Sequence, residues 1–356
     1  MSVDNILIIG GTGFVGLNAA RAFAAEGIQV VVTSRRRHDA AGEALAAENP
    51  LISVAYLDLQ SHAEVFDLFT RHRFDGMVML AHTHQYARTR AASNAIYPIT
   101  LNCLEGARCT GVKRLVLASS RAIYGGLNPP HHEDRTFPSQ VSYAGTIVEE
   151  LGLPHIPEFE TTVKRTVEMI AFDYAIPMPA ATSGLSGPQE EQAMEVVALR
   201  FPIQWGPGYT AMGSPFSLLA HTAAGRIDNL SGRTGYLGLP VTDFWGLLSG
   251  SSSSFVRDSA SAILTTMLAD ALPHPVYNVC SGFNNNARDQ LEALYRVLPE
   301  ARDKIGIDPA QLDHEPRPDD GFNGQRLRDD FGWRPTHSSI DGAWDEYVSW
   351  LRLNPF

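Results

Sequence analysis

The feature that most constrains this chain is Gly10-Gly-Thr-Gly-Phe-Val-Gly16, set between a short apolar run, Asn5-Ile-Leu-Ile-Ile9, and an amphipathic stretch from Phe14 to Glu26. An apolar run of that length reads as a buried strand, and the spacing of the stretch after it as a helix. A glycine-rich turn between them lets the chain bend tightly and brings backbone amides to a helix tip, where the macrodipole favours anions. Position matters more than the letters. A strand, turn and helix in this order near residue 10 predict a cradle for the pyrophosphate of a dinucleotide. A plain glycine turn is the bland alternative, and both flanks argue against it.

Further short apolar runs follow at Val30-Val-Val-Thr33, Val54-Ala-Tyr-Leu57, Met77-Val-Met-Leu80 and Leu115-Val-Leu-Ala118. Helical stretches separate them, such as Ser61 to His72 and Asn94 to Thr110. Strands apolar on both faces and alternating with helices predict an α/β, Rossmann-type doubly wound parallel sheet. Past residue 125 prolines punctuate long loops; a helix is expected over Thr161 to Tyr174 and a strand over Val196 to Phe201. By composition Ser249-Gly-Ser-Ser-Ser-Ser254 reads as a flexible loop. The expected division is a dinucleotide-binding domain over residues 1–175, its sheet completed by about 194–205 and part of 250–280, and a smaller, loop-rich, mostly substrate-binding region over 176–356.

Net charge excludes one class of partner. At −11 over 356 residues the chain lacks the basic balance that displaces counterions from nucleic acid. No apolar stretch is long enough to span a bilayer. Three cysteines (Cys103, Cys109, Cys280) without C-x-x-C spacing predict neither a disulfide framework nor a cysteine zinc site, which suits a reducing cytoplasm. His82-x-His84 and His131-His132 lack the ligand spacing of a catalytic metal, and none is expected.

The end of the second strand meets the adenosine ribose in such folds, and an acid there favours NAD. This chain has Thr33-Ser-Arg-Arg-Arg37 instead. Arginine forks match a 2′-phosphate, so Ser34, Arg35 and Arg36 predict NADP, with NAD the alternative. A solvated strand–helix turn would show the same letters. Asp58, with Leu59 beside it, is expected at the adenine edge.

Several blocks in order carry a family likeness: Gly10 to Gly16, Leu80-Ala-His82, Gly111-Val-Lys-Arg-Leu-Val-Leu-Ala-Ser-Ser120 before Tyr124-Gly, Leu199-Arg-Phe-Pro-Ile-Gln-Trp-Gly-Pro-Gly208, Phe255-Val-Arg-Asp258 and Phe331-Gly-Trp-Arg-Pro335. The chain resembles the extended short-chain dehydrogenase/reductases, the NAD-dependent epimerase/dehydratase family, over nearly its whole length. The resemblance implies coenzyme contacts from Gly10, Gly11, Thr12, Gly13, Phe14, Val15, Gly16, Ala81 and His82, with His84 and Tyr124 on the substrate side. It implies that Ser120 hydrogen-bonds the reacting oxygen. Arg317-Pro-Asp-Asp320 resembles the family's Arg-Pro-Gly-Asp block, whose arginine often holds a nucleotide-sugar diphosphate, although Asp319 replaces the glycine. Arg200 and Asp258 read as more structural than catalytic. Family members often dimerise, and the helix from Asn94 to Thr110 is a candidate for that contact.

The family's Tyr-x-x-x-Lys pair is where this chain departs. Lys164 matches the lysine that binds the nicotinamide ribose, but Glu160 stands where tyrosine belongs. A carboxylate is a weaker base than a phenolate by roughly 8 kcal/mol. Glu160 could still act as acid/base if burial raises its pKa. Tyr143, 19 residues after Tyr124, could supply the phenol, though Ile147 and not lysine follows it by four. In a third reading, Glu160, Lys164 and Glu168 form an exposed i,i+4 ladder. Two function classes remain: an enzyme transferring hydride at a carbinol or carbonyl carbon of a small polar substrate, and a redox-silent coenzyme-binding sensor or partner protein.

Overall fold

The structure, a computed structural model, describes residues 3–81, 94–124, 127, 130–135, 160–176, 193–210, 214–228, 230, 233–234, 241, 252–284, 286–312 and 321–354. These fall in two compact units, one drawn from 1–127, 136–200 and 260–277 and the other from 128–135, 201–259 and 278–356.

The first unit is built on strands β1 (Asn5–Ile9), β2 (Gln29–Ser34), β3 (Ile52–Tyr56), β4 (Gly76–Met79), β5 (Arg114–Ser120), β6 (Glu195–Phe201) and β9 (Val276–Asn278). They form one sheet in the order β3-β2-β1-β4-β5-β6-β9. Pairing is parallel from β3 through β5. Helices α1 (Phe14–Ala25), α2 (Ala40–Glu48), α3 (His62–Arg71), α4 (Ile96–Thr110) and α5 (Glu160–Asp173) alternate with the strands. The result is a Rossmann-type fold whose strand order reverses beside β1, the place where such sheets open a crevice at their carboxyl ends.

A buried arginine closes the far end of this sheet. Arg114, which opens β5, is 0% exposed. It donates to Glu195 Oε2 on β6 at 2.6 and 2.9 Å and to the carbonyls of Thr266, Met267 and Ala269. Those carbonyls lie at the C-terminus of helix α7 (Val256–Leu268), where a cation satisfies orphan acceptors and the negative end of the dipole.

The second unit holds a three-stranded sheet, β10 (Phe283–Asn284), β8 (Ser252–Phe255) and β7 (Ile203–Trp205), in that order. Its helices are α6 (Pro215–Ala223), α8 (Ala287–Val297), α9 (Ala301–Ile305), α10 (Gln325–Phe331) and α11 (Ile340–Leu353). The core centres on Trp205, whose ring lies 5.1 Å from Phe216, 4.8 Å from Trp344 and 5.2 Å edge-on from Phe255.

The serine run is a correction. Expected as a flexible loop through Ser254, it enters strand β8 at Ser252, with Ser253 and Ser254 fully buried. Each hydroxyl has a bond that compensates its desolvation: Trp205 Nε1 donates to Ser253 Oγ at 3.2 Å, and Ser254 Oγ donates to the Val279 carbonyl at 2.9 Å. Tertiary pairing overrode a composition that by itself favours no strand.

Candidate functional site

The glycine-rich turn leaves β1 through Gly10, whose φ of 77° lies in the left-handed region. A Cβ there would sit 2.9 Å from the Ala81 nitrogen just past β4, so only glycine lets the two strand ends approach. The Gly10 amide donates to Thr33 Oγ1 on β2 at 2.9 Å, which ties the turn to the neighbouring strand. At Gly16 a Cβ would lie 2.5 Å from the Gly11 Cα, so helix α1 is seated directly on the turn. Gly13 is its N-cap, with no side-chain cap and no acid in the first turn. The first turn carries no carboxylate of its own at this positive helix end, which fits a bound anion.

Past β2, Ser34 is 6% exposed while Arg35, Arg36 and Arg37 are exposed. Ser34 Oγ donates to Asp39 Oδ2 at 2.6 Å and accepts from the Arg36 amide at 3.2 Å. Asp39 was not singled out from the sequence. It caps α2, and an acid directly before the alanine-rich run Ala40–Ala47 was the signal that could have found it. Burial opposes its charge, but bonds from Ser34, Thr12, Gly42 and Ala41 outweigh that and hold the carboxyl below its usual range. Asp58 is exposed and accepts from the Gln60 amide at 3.0 Å, while Leu59 beside it is buried.

The second cluster forms where β5 ends. Ser120 is its last residue and accepts from the Ala122 amide at 3.1 Å in the 3-10 turn Arg121–Tyr124. Helix α5 docks on this turn through charged side chains. Lys164 Nζ donates to the Ala118 carbonyl at 3.1 Å, and Arg165 Nε to the Ile123 carbonyl at 2.9 Å. One turn on, Glu168 takes a two-armed bond from Arg200 on β6, at 3.0 and 2.9 Å, and Arg200 Nη1 reaches Tyr124 Oη at 2.9 Å. Burial opposes the charge on Arg200, but Glu168 outweighs it and raises the guanidinium pKa above its ordinary value.

Two expectations change here. Glu168 and Lys164 are not rungs of an exposed ladder, because Glu168 is 1% exposed and pairs across to β6. Tyr124, expected at the substrate, is 2% exposed and its hydroxyl accepts from Arg200, which ties it to the Lys164 corner. Arg200 is buried and bonded to Glu168 and Tyr124. Asp258 is buried as well and bonds the Ser281 hydroxyl and the Thr336 amide. Glu160 opens α5, one turn before Lys164. Tyr143, His82, His84 and Arg317 lie outside the described residues. Among the described residues no group of three or more His, Cys, Asp or Glu could hold a metal ion, and no helix is long and apolar enough to cross a membrane.

Residues 6–149 match the model of the NAD dependent epimerase/dehydratase family. That match spans 144 of the 356 residues. A stretch of 48 residues is 52% identical to a UDP-glucuronate 4-epimerase of Thermodesulfobacterium geofontis, a match spanning only 13% of this chain and 15% of that relative. The fold is shared more widely than this epimerase/dehydratase sequence match. The UDP-glucose 4-epimerase of Thermotoga maritima, solved with UDP-glucose, aligns at a TM-score of 0.62 and 18% identity over 98% of this chain and 99% of its own. The enzyme of the same name from Bifidobacterium longum, solved with NAD+ and UDP, aligns at 0.66 and 15% over 99% of both. The dTDP-glucose 4,6-dehydratase of Bacillus anthracis, solved with NAD, aligns at 0.67 and 17% over 99% of this chain and 97% of its own.

Proposed function

We propose that this chain is a nicotinamide-dinucleotide-dependent enzyme of epimerase, dehydratase or oxidoreductase type, acting at a carbinol or carbonyl carbon of a small polar substrate of the nucleotide-sugar class. The observation that carries this reading is the corner at the end of β5, where Lys164 is bonded to the backbone two residues before Ser120. The family match and the names of the structural neighbours point the same way. NADP is the proposed coenzyme, on the strength of Arg35 and Arg36, with NAD the alternative.

The glycine turn and the amides of α1 hold the pyrophosphate, and Lys164 holds the nicotinamide ribose. When bound, the nicotinamide supplies reversible hydride exchange with the reacting carbon. Ser120 donates to the substrate oxygen; accepting from the Ala122 amide makes its hydroxyl a stronger donor. The positive charge of Lys164 favours the ionised form of the acid/base group beside it. Glu160 and Tyr143 are the two candidates for that group. Residues 176–356, Arg317 among them, supply the substrate grip in this reading. A homodimer through α4, where Leu101 is 43% exposed, belongs to it as well.

The test is product analysis by NMR after incubation with NADP+ or NAD+ and UDP-glucose, UDP-glucuronate or dTDP-glucose. Conversion of at least one sugar is expected, with Ser120→Ala and Lys164→Met each lowering kcat by about 100-fold or more. Of Glu160→Gln and Tyr143→Phe, the one that abolishes turnover while keeping coenzyme affinity names the proton carrier. Tight coenzyme binding without conversion of any sugar would replace this reading with that of a coenzyme-binding sensor.

A further inference from the structure

The end of β2 carries an arrangement that the arginine run alone does not explain. Asp39 is the first carboxylate after Arg35-Arg36-Arg37, and it reaches back to Ser34 at 2.6 Å. A carboxylate in this neighbourhood has two possible roles: accepting the adenosine ribose hydroxyls, which would favour NAD and repel a 2′-phosphate, or organising the protein itself.

Acceptor capacity decides between them. An ionised carboxylate has about four lone-pair sites. Ser34 Oγ donates to Oδ2 and the Gly42 amide to Oδ1, so each carboxylate oxygen already accepts a bond from the protein, and Thr12 and the Ala41 amide add to what favours its charged form. Its acceptor sites are turned to the protein. The helix it caps is also seated on the coenzyme turn, since a Cβ on Gly42 would meet Thr12 Cγ2 at 2.9 Å. One chain of bonds then runs from the Arg36 amide to Ser34 Oγ and from the Ser34 hydroxyl to Asp39. That chain anchors the backbone of the arginine segment, whose side chains remain exposed.

We infer that Asp39 is the positioning residue for coenzyme selection: it locks Thr12, Ser34 and the start of α2 together, withholds its own carboxylate from the ribose, and sets Arg35 and Arg36 to receive the 2′-phosphate. The inference rests on the dinucleotide reading above and deepens it. Asp39 acts here as a hydrogen-bond acceptor and not as a charge near the ligand, so asparagine, an equally good N-cap, replaces it in large part.

Fluorescence titration of the full chain with NADPH and NADH tests this without any substrate. The parent is expected to bind NADPH more tightly than NADH. Asp39→Ala weakens NADPH about tenfold and NADH by less than about threefold, the scale of one lost cap. Asp39→Asn stays within about threefold of the parent for both. Thermal melts of each variant separate these effects from unfolding, and Asp39→Asn keeps the test decisive should the alanine variant fail to fold. Tighter NADPH and weaker NADH binding in Asp39→Ala overturns the inference, because Asp39 would then be the ribose acceptor. So does a parent that prefers NADH, or an Asp39→Asn variant that switches preference as a charge effect would. A parent that binds neither coenzyme sinks the dinucleotide reading itself, and this inference with it.

Discussion

The charged side chains of the corner around Lys164 and the neutral polar side chains of helix α6 differ in how far they are bonded. In the first unit, Lys164, Arg165, Glu168 and Arg200 each make a side-chain bond across elements, and the buried pair is bonded through both arms. In the second unit every residue of α6 is buried. Ser214 Oγ, Ser217 Oγ and both ring nitrogens of His221 have no hydrogen-bond partner among the described residues. These three residues sit at i, i+3 and i+7, on one helix face. Burial, with the nearby Arg226 charge, pushes the imidazole pKa of His221 down against the opposing pull of the Tyr209 backbone. Charged side chains are bonded at the corner, while neutral polar groups go unbonded both in α6 and beside the corner, where Ser119 Oγ and Thr161 Oγ1 have no partner among the described residues. A desolvated ion costs several kcal/mol when unpaired, whereas a lone hydroxyl costs about 1–3.

That contrast has measurable edges. Removing one partner of the buried pair is the most severe test. Glu168→Ala leaves Arg200 charged and uncompensated, and is expected to cost about 3–5 kcal/mol in denaturant unfolding, with Glu168→Leu/Arg200→Met recovering much of it. A loss under about 1 kcal/mol would show that the pair is not buried as described.

His221 gives the intermediate effect. Its folded pKa is lowered, so the unfolded chain takes up the proton first. Stability therefore falls as pH drops through the unfolded value near 6.5, and continues to fall until the folded pKa is passed. Melts between pH 8 and 5 should show a slope that His221→Gln reduces, by at most about 1.4 kcal/mol per pH unit for one proton. An unchanged slope would mean that His221 has a partner.

Ser217→Ala should be the mildest. It deletes an unsatisfied hydroxyl, so stability stays level or rises by about 1 kcal/mol in the same unfolding assay. A loss of 2 kcal/mol would reveal a bond that the hydroxyl makes, and would remove α6 from the comparison.

Legibility in the sequence followed the range of the interactions. The glycine turn was readable because Gly10 and Gly16 are needed by local geometry, a left-handed φ and a helix seated on a turn. Lys164 was readable as a family position, one helical turn from Glu160. Asp39 was missed although its capping signal is local, because the consequence of the cap lies in Thr12, 27 residues earlier in the chain. Glu168 looked like an exposed rung because an i,i+4 pattern says nothing about what lies across from it. Its partner, Arg200, is 32 residues away.

By itself the sequence determined the alternation of strand and helix, the glycine-rich turn and the likeness of residues 6–149 to a family model, since these depend on periodicity and on backbone angles that few residues besides glycine tolerate. Only the tertiary structure decided which polar side chains are bonded inside the protein: Tyr124 to Arg200, Asp39 to Ser34 and the Gly42 amide, Ser253 and Ser254 within a strand. The physical reason is that the cost of a buried polar group depends on a partner brought from elsewhere in the chain. No local pattern encodes the distance to that partner.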